Sequence, residues 1–377
     1  MRNIMNWIKK YYPTIAISIL IFALFEIGAR FIFSEIPKYD GGYNEEVLGQ
    51  IWGKENIEDY TVVREEQSVR WQYHPFVEYK EAPRSGKYVS VSSENTRCNL
   101  NGNDQCEIAN GKGVIWVFGG STVFGYGVKN DETIPAYINK VFPDYTVVNM
   151  GHGSYYSTLE RILFNEKLSE GLAPEIAVFV DGLNDFYYFN VPNISGASEQ
   201  IRELFNGASS GVNLDLKTFS DKSYFLQYLY STLKPQLKKI NNDPEDNKSW
   251  SLVQPDSILL KVINRLRFNF LARQNIGEIN GVKVLNVLQP VPGYGIGHKT
   301  SKVPTHLLRL KRHVNSARGY QLIEEEEFNL NVSYLDLSTL SIDAPMYIDT
   351  VHYSPAFNKE IAKRISDMID NSFISQQ

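Results

Sequence analysis

Five short apolar segments alternate with stretches of helical spacing along the last two thirds of the chain. They lie at residues 114–118, 145–150, 176–180, 282–288 and 332–337. Apolar runs of this length are typical of strands that are buried on both faces of a sheet. Because helical patterns lie between them, these segments predict an α/β domain with parallel strands.

The intervening segments predict helices that cover the sheet. Residues 131–141 carry acidic side chains in the first turn and a proline near the start, and residues 258–271 have amphipathic spacing. Ser354 and Pro355 form an N-cap and first-turn pair that opens a last helix. Apolar residues then recur at every fourth position of that helix, at Phe357, Ile361, Ile365 and Ile369.

The first 33 residues follow a different pattern. Three basic residues at positions 2, 9 and 10 precede residues 11–25, which carry no charge, and apolar character continues to Phe33 with Glu26 and Arg30 as interruptions. The segment 11–33 is long enough to span a bilayer as a helix. A cleaved signal peptide is the alternative, but no small-x-small cleavage site follows the apolar run. The pattern favours an uncleaved N-terminal transmembrane helix, with the chain beyond it outside the cytoplasm.

Residues 34–110 predict an extracytoplasmic arm without a catalytic pattern. Aromatic and β-branched residues at 70–75 and 87–91 predict short strands. Cys98 and Cys106, the only cysteines, lie in a polar loop. A zinc site would need two further ligands and no histidine is close, so we expect a Cys98–Cys106 disulfide, as in an oxidising compartment.

Composition narrows the classes of function. An apolar content of 43% is sufficient for a large core, and the formal net charge of −5 without a basic block argues against nucleic-acid binding. The remaining residues, 111–377, then form the main domain, with an insertion at about 186–281 that is longer than a simple crossover. Such an insertion either shapes a substrate cleft above the strand ends or only covers the sheet.

Ser121 is the first residue with chemical interest. It follows the first predicted strand directly, after Gly119 and Gly120, where open α/β sheets bind their ligands. The loop has no lysine before its Ser or Thr, so it is not a P-loop, and its glycines lack the dinucleotide-binding spacing. A turn serine beside packing glycines remains the alternative.

Possible partners of Ser121 occur in three later loops. Asp349 precedes His352 by three residues, which allows the carboxylate to orient the imidazole as a general base. Asn184, in a Gly-x-Asn turn, can donate to an oxyanion, and the 151–154 loop offers backbone N–H groups. The alternatives are a helix-leading ion pair, a turn asparagine, or two metal ligands that lack a third. His152, in the 151–154 loop, could also line the site.

The ordered set of these residues resembles the four sequence blocks of the SGNH (GDSL-type) hydrolases, specifically membrane-anchored bacterial members. The resemblance runs from about residue 114 to the carboxyl end. It implies a flavodoxin-like three-layer αβα fold with a parallel five-stranded sheet in the order 2-1-3-4-5. It also implies that Ser121 is the nucleophile, His352 the general acid and base, and Asp349 the orienting residue.

The chain departs from the family pattern in two blocks. Gly-Gly-Ser stands where the name-motif has Gly-Asp-Ser, and Ser154 occupies a position where glycine is usual. The resemblance implies an oxyanion hole of the Ser121 N–H, the Asn184 amide and one N–H of the second block. Whether Gly153 or Ser154 supplies that last N–H remains open.

These features together predict an extracytoplasmic serine esterase. It would remove a small acyl group, most plausibly acetyl, from a glycan through an acyl-serine intermediate. Residues 288–290, Leu-Gln-Pro, also resemble anchored members linked to envelope polysaccharides. Two alternatives stay open: an O-acyltransferase that modifies such a polysaccharide, and a non-catalytic glycan-binding or assembly protein that retains the fold. The expected partners are an acylated glycan or another ester and, through the N-terminal helix, the membrane. No cofactor or metal is expected.

Overall fold

The structure is a computed structural model. It describes residues 51–67, 70–100, 113–188, 253–295, 314–326 and 331–375, together with residue 49 and several residues between 14 and 27. The chain divides into two units. All of these residues except those between 14 and 27 belong to the unit formed by Tyr43–Ile201 and Asn247–Gln377. That unit is described first and by itself.

A parallel five-stranded sheet forms the centre of this unit. Its strand order is β4-β3-β5-β6-β7, which confirms the predicted 2-1-3-4-5 arrangement. The strands are β3 (Gly113–Gly119), β4 (Tyr145–Gly151), β5 (Ile176–Asp181), β6 (Lys283–Leu288) and β7 (Tyr334–Asp336). The predicted positions hold for all five, although β7 is shorter than its apolar segment.

Helices cover both faces of the sheet. Their bounds are α1 (Ile57–Glu66), α2 (Ser121–Phe124), α3 (Ile134–Val141), α4 (Ser157–Ser169), α5 (Leu183–Tyr187), α6 (Asp256–Ile279), α7 (Val314–Glu325) and α8 (Pro355–Ile369). The helices α3 and α8 pack on one face of the sheet, and α4 and α6 lie against the other. The three-layer αβα architecture is therefore as expected. Ser354 caps α8 as the sequence indicates, since its side chain accepts the Phe357 N–H.

The apolar strands are buried on both faces because their side chains alternate between two cores. In β3, Ile115 and Val117 join the core beneath α3 and α8, whereas Trp116 and Phe118 join the core beneath α4. All four side chains are buried. This double burial explains why the strands read as continuous apolar runs rather than as an alternating pattern.

The arm before the sheet differs from its prediction. In a two-stranded antiparallel hairpin, β1 (Trp71–His74) lies within the first predicted strand region, 70–75, whereas β2 (Glu78–Glu81) was not predicted. The second region, 87–91, is not a strand, because its only pairing is at Val91, in isolated bridges to Arg84 and Arg97. Arg97 also bridges to Asn149 and so pairs with β4, an edge strand of the sheet. The arm therefore covers an edge that would otherwise be open.

The long helix α6 also differs from the expectation. It runs from Asp256 to Ile279, well beyond the predicted 258–271, and its buried residues pack with α5, α7 and the end of β6. This part of the insertion is a crossover helix in the core rather than a cap. The rest of the insertion, from 189 to 252, lies outside the described residues. The helix α7 was not predicted.

The predicted membrane span at 11–33 falls mostly outside the described residues, and those described between 14 and 27 are helical. Across the described part of the chain, no helix combines the length and the apolar character that crossing a bilayer requires. Cys98 is buried. Its expected partner, Cys106, also lies outside the described residues, so the disulfide stays a prediction.

A buried ion pair ties α6 to the end of β5. The Arg273 guanidinium is fully buried and donates to Asp181 Oδ2 at 2.6 Å, and its Nη1 lies 3.6 Å from Glu160 Oε2. Its plane stacks over the rings of Phe179 and Phe270, at 4.2 and 4.9 Å from their centroids. Removing this cation would leave the buried Asp181 carboxylate without its counter-charge.

We therefore expect Arg273→Met to lower the free energy of unfolding by about 3–5 kcal/mol. Arg318→Met is a suitable control, because Arg318 is 29% exposed and pairs at the surface with Asp256 and Glu325. The control should lose much less stability, because solvent screens ion pairs at the surface. Denaturant unfolding measures both, and equal losses would contradict a structural role for the buried pair.

Candidate active site

Ser121 lies where β3 turns into the short helix α2. Gly120 is the N-cap and Ser121 the first helical residue, so the Ser121 N–H has no partner within the helix and points to the carboxyl edge of the sheet. Gly125, at φ 87°, closes the helix in the left-handed conformation that glycine adopts without strain. The serine thus lies at the carboxyl edge of the sheet, and its backbone N–H can donate to a ligand.

Gly120 explains the first departure from the family pattern. A side chain at this position would collide with the Asn184 amide and would lie 3.0 Å from the Tyr155 carbonyl oxygen. The Asn184 Nδ2 group itself donates to that carbonyl at 2.7 Å. Since Asn184 and Tyr155 come this close to the turn, glycine fits before Ser121 and aspartate does not.

Asp349 and His352 lie in one tight loop before α8. Both the Val351 and His352 N–H groups donate to Asp349 Oδ1 at 2.8 Å, while Oδ2 lies 2.6 Å from His352 Nδ1. The other ring nitrogen, Nε2, lies 2.9 Å from Ser121 Oγ. The structure therefore brings the three expected residues together in one hydrogen-bonded chain.

The carboxylate of Asp349 fixes the imidazole tautomer. Partial burial alone would raise the pKa of Asp349, but the charge and ring N–H of His352 and the two backbone N–H groups outweigh it and lower this pKa to about 2. Asp349 is thus ionised at neutral pH and accepts the hydrogen on Nδ1. The lone pair of Nε2 then faces the Ser121 hydroxyl, as a general base requires.

Asn184 and the 151–154 loop face the same edge of the sheet. One hydrogen of the Asn184 amide is bound by the Tyr155 carbonyl, which leaves the second for a ligand. The Gly153 N–H makes a long bond, 3.4 Å, to Glu81 Oε1. The Ser154 N–H has no acceptor within the described parts of the chain. The geometry therefore favours Ser154 over Gly153 as the donor from this loop.

Ser154 has a left-handed backbone, with φ 65°. Most side chains avoid this region, which explains why glycine is usual here and why Ser154 is strained. Gly153, in contrast, has an ordinary backbone, but a Cβ on it would lie 2.5 Å from Tyr126 Oη. Two requirements therefore fall on neighbouring positions in this block. Packing against Tyr126 requires a small residue at 153, and the turn requires a left-handed backbone at 154.

His152 does not line the site. It is 2% exposed, and its Nδ1 accepts the Glu81 backbone N–H at 3.3 Å. Burial, together with the charges of Lys80 and His74, lowers its pKa to about 3. The ring is therefore neutral at pH 7 and belongs to the packing beneath the loop.

The arm supplies contacts that the sequence did not reveal. Arg97, fully buried, donates to three carbonyl oxygens of the segment after Ser121, those of Phe124, Gly125 and Val128. Gln67 binds the same segment through the Gly125 carbonyl and the Gly127 N–H. Isolated polar residues in an arm give no signal in the sequence. Their role appears only when the arm is placed against the sheet.

Gln289, in the Leu-Gln-Pro segment after β6, is another such contact. Its side-chain oxygen accepts the hydroxyl of Thr122, the residue after Ser121, at 2.9 Å, and its carbonyl accepts the Tyr320 hydroxyl at 2.8 Å. The adjacent Pro290 carbonyl accepts the Tyr353 hydroxyl at 2.6 Å, next to His352. The segment thus links the loops that carry Ser121 and His352.

Asn184 and Gly120 line a small polar pocket. Its lining includes Glu160, Asp181 and Asp185. Burial and the charge of Asp181 raise the pKa of Glu160 well above its usual range and that of Asp185 to about 6. Within the described ranges, no group of three His, Cys, Asp or Glu side chains is arranged to hold a metal ion.

No protein-family model matches the chain, and no curated protein matches it. Solved structures do. A protein assigned to the G-D-S-L family of lipolytic proteins, from Desulfitobacterium hafniense, is 12% identical with a TM-score of 0.36, over 68% of this chain and 98% of that one. A carbohydrate acetylesterase from Sinorhizobium meliloti is 14% identical with a TM-score of 0.36, over 70% and 100%. A psychrotrophic esterase from Pseudoalteromonas is 11% identical with a TM-score of 0.36, over 68% and 97%.

At these identities and TM-scores the similarity carries no weight for the activity. The activity is therefore inferred from the residues of the site and their geometry.

The buried His152 predicts a specific pH dependence of stability. The unfolded chain binds a proton at His152 below pH 6.5, whereas the folded chain does so only near pH 3. The stability it contributes is therefore complete above pH 6.5 and is lost as the pH falls. Between pH 7 and 4.5 the loss is about 2–3 kcal/mol. His152→Asn keeps an acceptor near the Nδ1 position and should remove this share of the pH dependence.

Denaturant unfolding of both proteins across this pH range checks the prediction. An equal decline in the two proteins would contradict it, because it would mean that the folded protein protonates His152 as readily as the unfolded chain does.

Proposed function

We propose that this chain is a serine esterase of the SGNH type. The observation that carries the proposal is the chain of contacts from Asp349 Oδ2 to His352 Nδ1, 2.6 Å, and from His352 Nε2 to Ser121 Oγ, 2.9 Å. A nucleophile, a base and an orienting carboxylate in hydrogen-bond contact are the arrangement that activates a serine hydroxyl. A protein that only binds glycans has no need of all three.

The reaction follows from these positions. Ser121 Oγ attacks the ester carbonyl carbon while His352 Nε2 takes the hydroxyl proton. The carbonyl oxygen becomes an oxyanion, which the Ser121 N–H, the Ser154 N–H and the free Asn184 amide hydrogen stabilise. His352 then returns the proton to the departing alcohol oxygen, and the acyl group remains on Ser121.

A second attack releases the acyl group. Water attacks the acyl carbon while His352 takes one of its protons. The bond between this carbon and Ser121 Oγ then breaks, His352 returns the proton to Oγ, and a carboxylic acid and free Ser121 result. Asp349 stays ionised throughout and stabilises the imidazolium that forms twice in each cycle. If a sugar hydroxyl replaces water in this step, the same residues transfer the acyl group instead.

The proposed substrate is a small acyl ester, acetyl, on a glycan. Support comes from the resemblance of the Leu-Gln-Pro segment at 288–290 to anchored members linked to envelope polysaccharides. Transfer to an acceptor hydroxyl is the alternative that the same chemistry allows.

A fluorophosphonate probe should form a covalent adduct at Ser121, since the activated hydroxyl attacks phosphorus and expels fluoride. Ser121→Ala and His352→Ala should each lower kcat for a small aryl acetate by roughly a million-fold, and the double variant should lose little more. Mass spectrometry of the adduct and steady-state kinetics measure these effects. Ser169→Ala, at an exposed serine that binds only the Glu166 carbonyl, is the control and should match the parent protein.

Undiminished esterase activity in Ser121→Ala would overturn the proposed mechanism. The substrate class is tested separately, by incubating the protein with an acetylated polysaccharide and an unacetylated acceptor glycan. Release of free acetate supports hydrolysis. Faster acetylation of the acceptor than release of acetate would make the protein a transferase.

We further propose that segment 11–33 anchors the chain in a membrane, with the catalytic unit outside the cytoplasm. The described residues between 14 and 27 are helical, and the side chains of Ile17, Leu20, Leu24, Phe25 and Ile27 are each more than half exposed. Apolar side chains exposed in this way favour a lipid environment. The basic residues that precede the segment favour a cytoplasmic amino terminus.

A reporter fused after Gln377 should therefore be active only if it is of a type that works outside the cytoplasm. Cys98 and Cys106 should resist thiol labelling until the protein is reduced, because the proposed compartment is oxidising. A cytoplasmic reporter signal together with two reactive thiols would rule out this topology.

A further inference from the structure

Glu81, the last residue of β2, is a wholly buried carboxylate next to the candidate site. Its Oε1 accepts hydrogen bonds from Tyr126 Oη at 2.7 Å, Trp71 Nε1 at 3.2 Å and the Gly153 N–H at 3.4 Å. Its Oε2 accepts from Arg84 Nη1 at 3.1 Å. Four donors from four different segments therefore converge on one side chain.

A carboxylate is the side chain that this environment requires. Burial of a charge is costly unless it is paired, and Arg84, whose side chain is only 4% exposed, supplies the counter-charge. Both oxygens of a carboxylate accept, so all four donors can be satisfied. In a glutamine, the amide nitrogen in place of one oxygen would face a donor.

One of these bonds reaches the candidate oxyanion hole. Glu81 takes the Gly153 N–H, and its own backbone N–H donates to His152 Nδ1 at 3.3 Å. Tyr79, two residues earlier, donates its hydroxyl to the Gly153 carbonyl at 2.8 Å. The end of β2 thus holds the plane of both peptides around Gly153, and this sets the direction of the Ser154 N–H.

Another hydrogen bond of Glu81 holds Tyr126, which lies beside the candidate general base. The Tyr126 hydroxyl donates to Glu81, and the Tyr126 ring lies 5.4 Å from the His352 ring, centroid to centroid, at a 46° tilt. A ring fixed at its hydroxyl limits the rotation of the imidazole beside it. One carboxylate therefore contacts the support of both the oxyanion donor and the base.

We propose that Glu81 is a positioning residue of this active site. It fixes the Ser154 N–H through Gly153 and the His352 imidazole through Tyr126, and so couples the arm to the reaction. This inference rests on the proposed esterase function. A residue that only stabilises the fold would affect unfolding and leave the orientation of both groups unchanged.

Glu81→Gln tests the proposal in the full-length protein. Because both groups act in the transition state, we expect kcat for a small aryl acetate to fall about ten- to a hundredfold, with KM within about twofold of the parent value. The matched control is Glu66→Gln. Glu66 accepts three backbone N–H groups within the arm, those of Lys87, Tyr88 and Val89, and contacts neither the 151–154 loop nor Tyr126.

A second variant covers the case in which Glu81→Gln does not fold. Tyr126→Phe removes one donor to Glu81 and keeps the ring, so it should lower kcat severalfold and leave KM unchanged. The proton resonance of the His352 Nδ1–H, which we expect far downfield because Nδ1 lies 2.6 Å from Asp349 Oδ2, provides a readout that needs no turnover. It should move in Glu81→Gln and Tyr126→Phe and stay in place in Glu66→Gln.

The outcomes separate the two proposals. If the parent protein neither reacts with a fluorophosphonate nor cleaves esters, the esterase function fails, and the resonance alone then decides whether Glu81 positions His352. If the parent is active, a kcat in Glu81→Gln or Tyr126→Phe within twofold of that in Glu66→Gln overturns the role of Glu81. An unmoved resonance in both variants overturns it as well.

Discussion

The contact between His352 Nε2 and Ser121 Oγ joins two loops that are 231 residues apart in the chain. Ser121 begins the short helix α2 and His352 lies in the loop before α8, so the position of each depends on the polar contacts that hold its segment. The parallel sheet brings the loops to one edge, because the carboxyl ends of all its strands lie together. The sheet alone does not fix the exact positions of these side chains, and hydrogen bonds beneath the loops do so. Gln289 is one example, since it accepts the Thr122 hydroxyl while the next residue, Pro290, binds Tyr353.

Most of the central fold was predictable from the sequence because it rests on local and periodic signals. Each strand is a short apolar run, and α8 opens with the Ser354–Pro355 pair that the structure shows as its cap. The candidate chain of Ser121, His352 and Asp349 was equally accessible, because these residue types stand immediately after strands or before a helix. Reactive side chains at the ends of strands and helices can therefore be recognised from their positions in the sequence.

The arm gave no comparable pattern. Its segment 87–91 has the composition of a strand but forms only isolated bridges. The reason is that the backbone N–H groups of Lys87, Tyr88 and Val89 donate to the Glu66 carboxylate. The full length of α6 was equally hard to foresee, since its buried polar face includes Arg273, whose partner lies in β5. Both failures have one cause. A polar residue whose partner is distant in sequence carries no information about that partner, and tertiary contacts override the local propensity.

The two departures from the SGNH pattern follow from the same tertiary contacts. Gly120 stands before Ser121, where the Asn184 amide lies close to the space that a side chain would need. At the second block, Tyr126 and Glu81 press against Gly153, and the left-handed turn falls on Ser154. The residue at each motif position is therefore decided by what packs against the loop, while the role of the position is decided by where its N–H points. The arm, which carries Glu81 and Arg97, holds the loops of the candidate active site through buried hydrogen bonds.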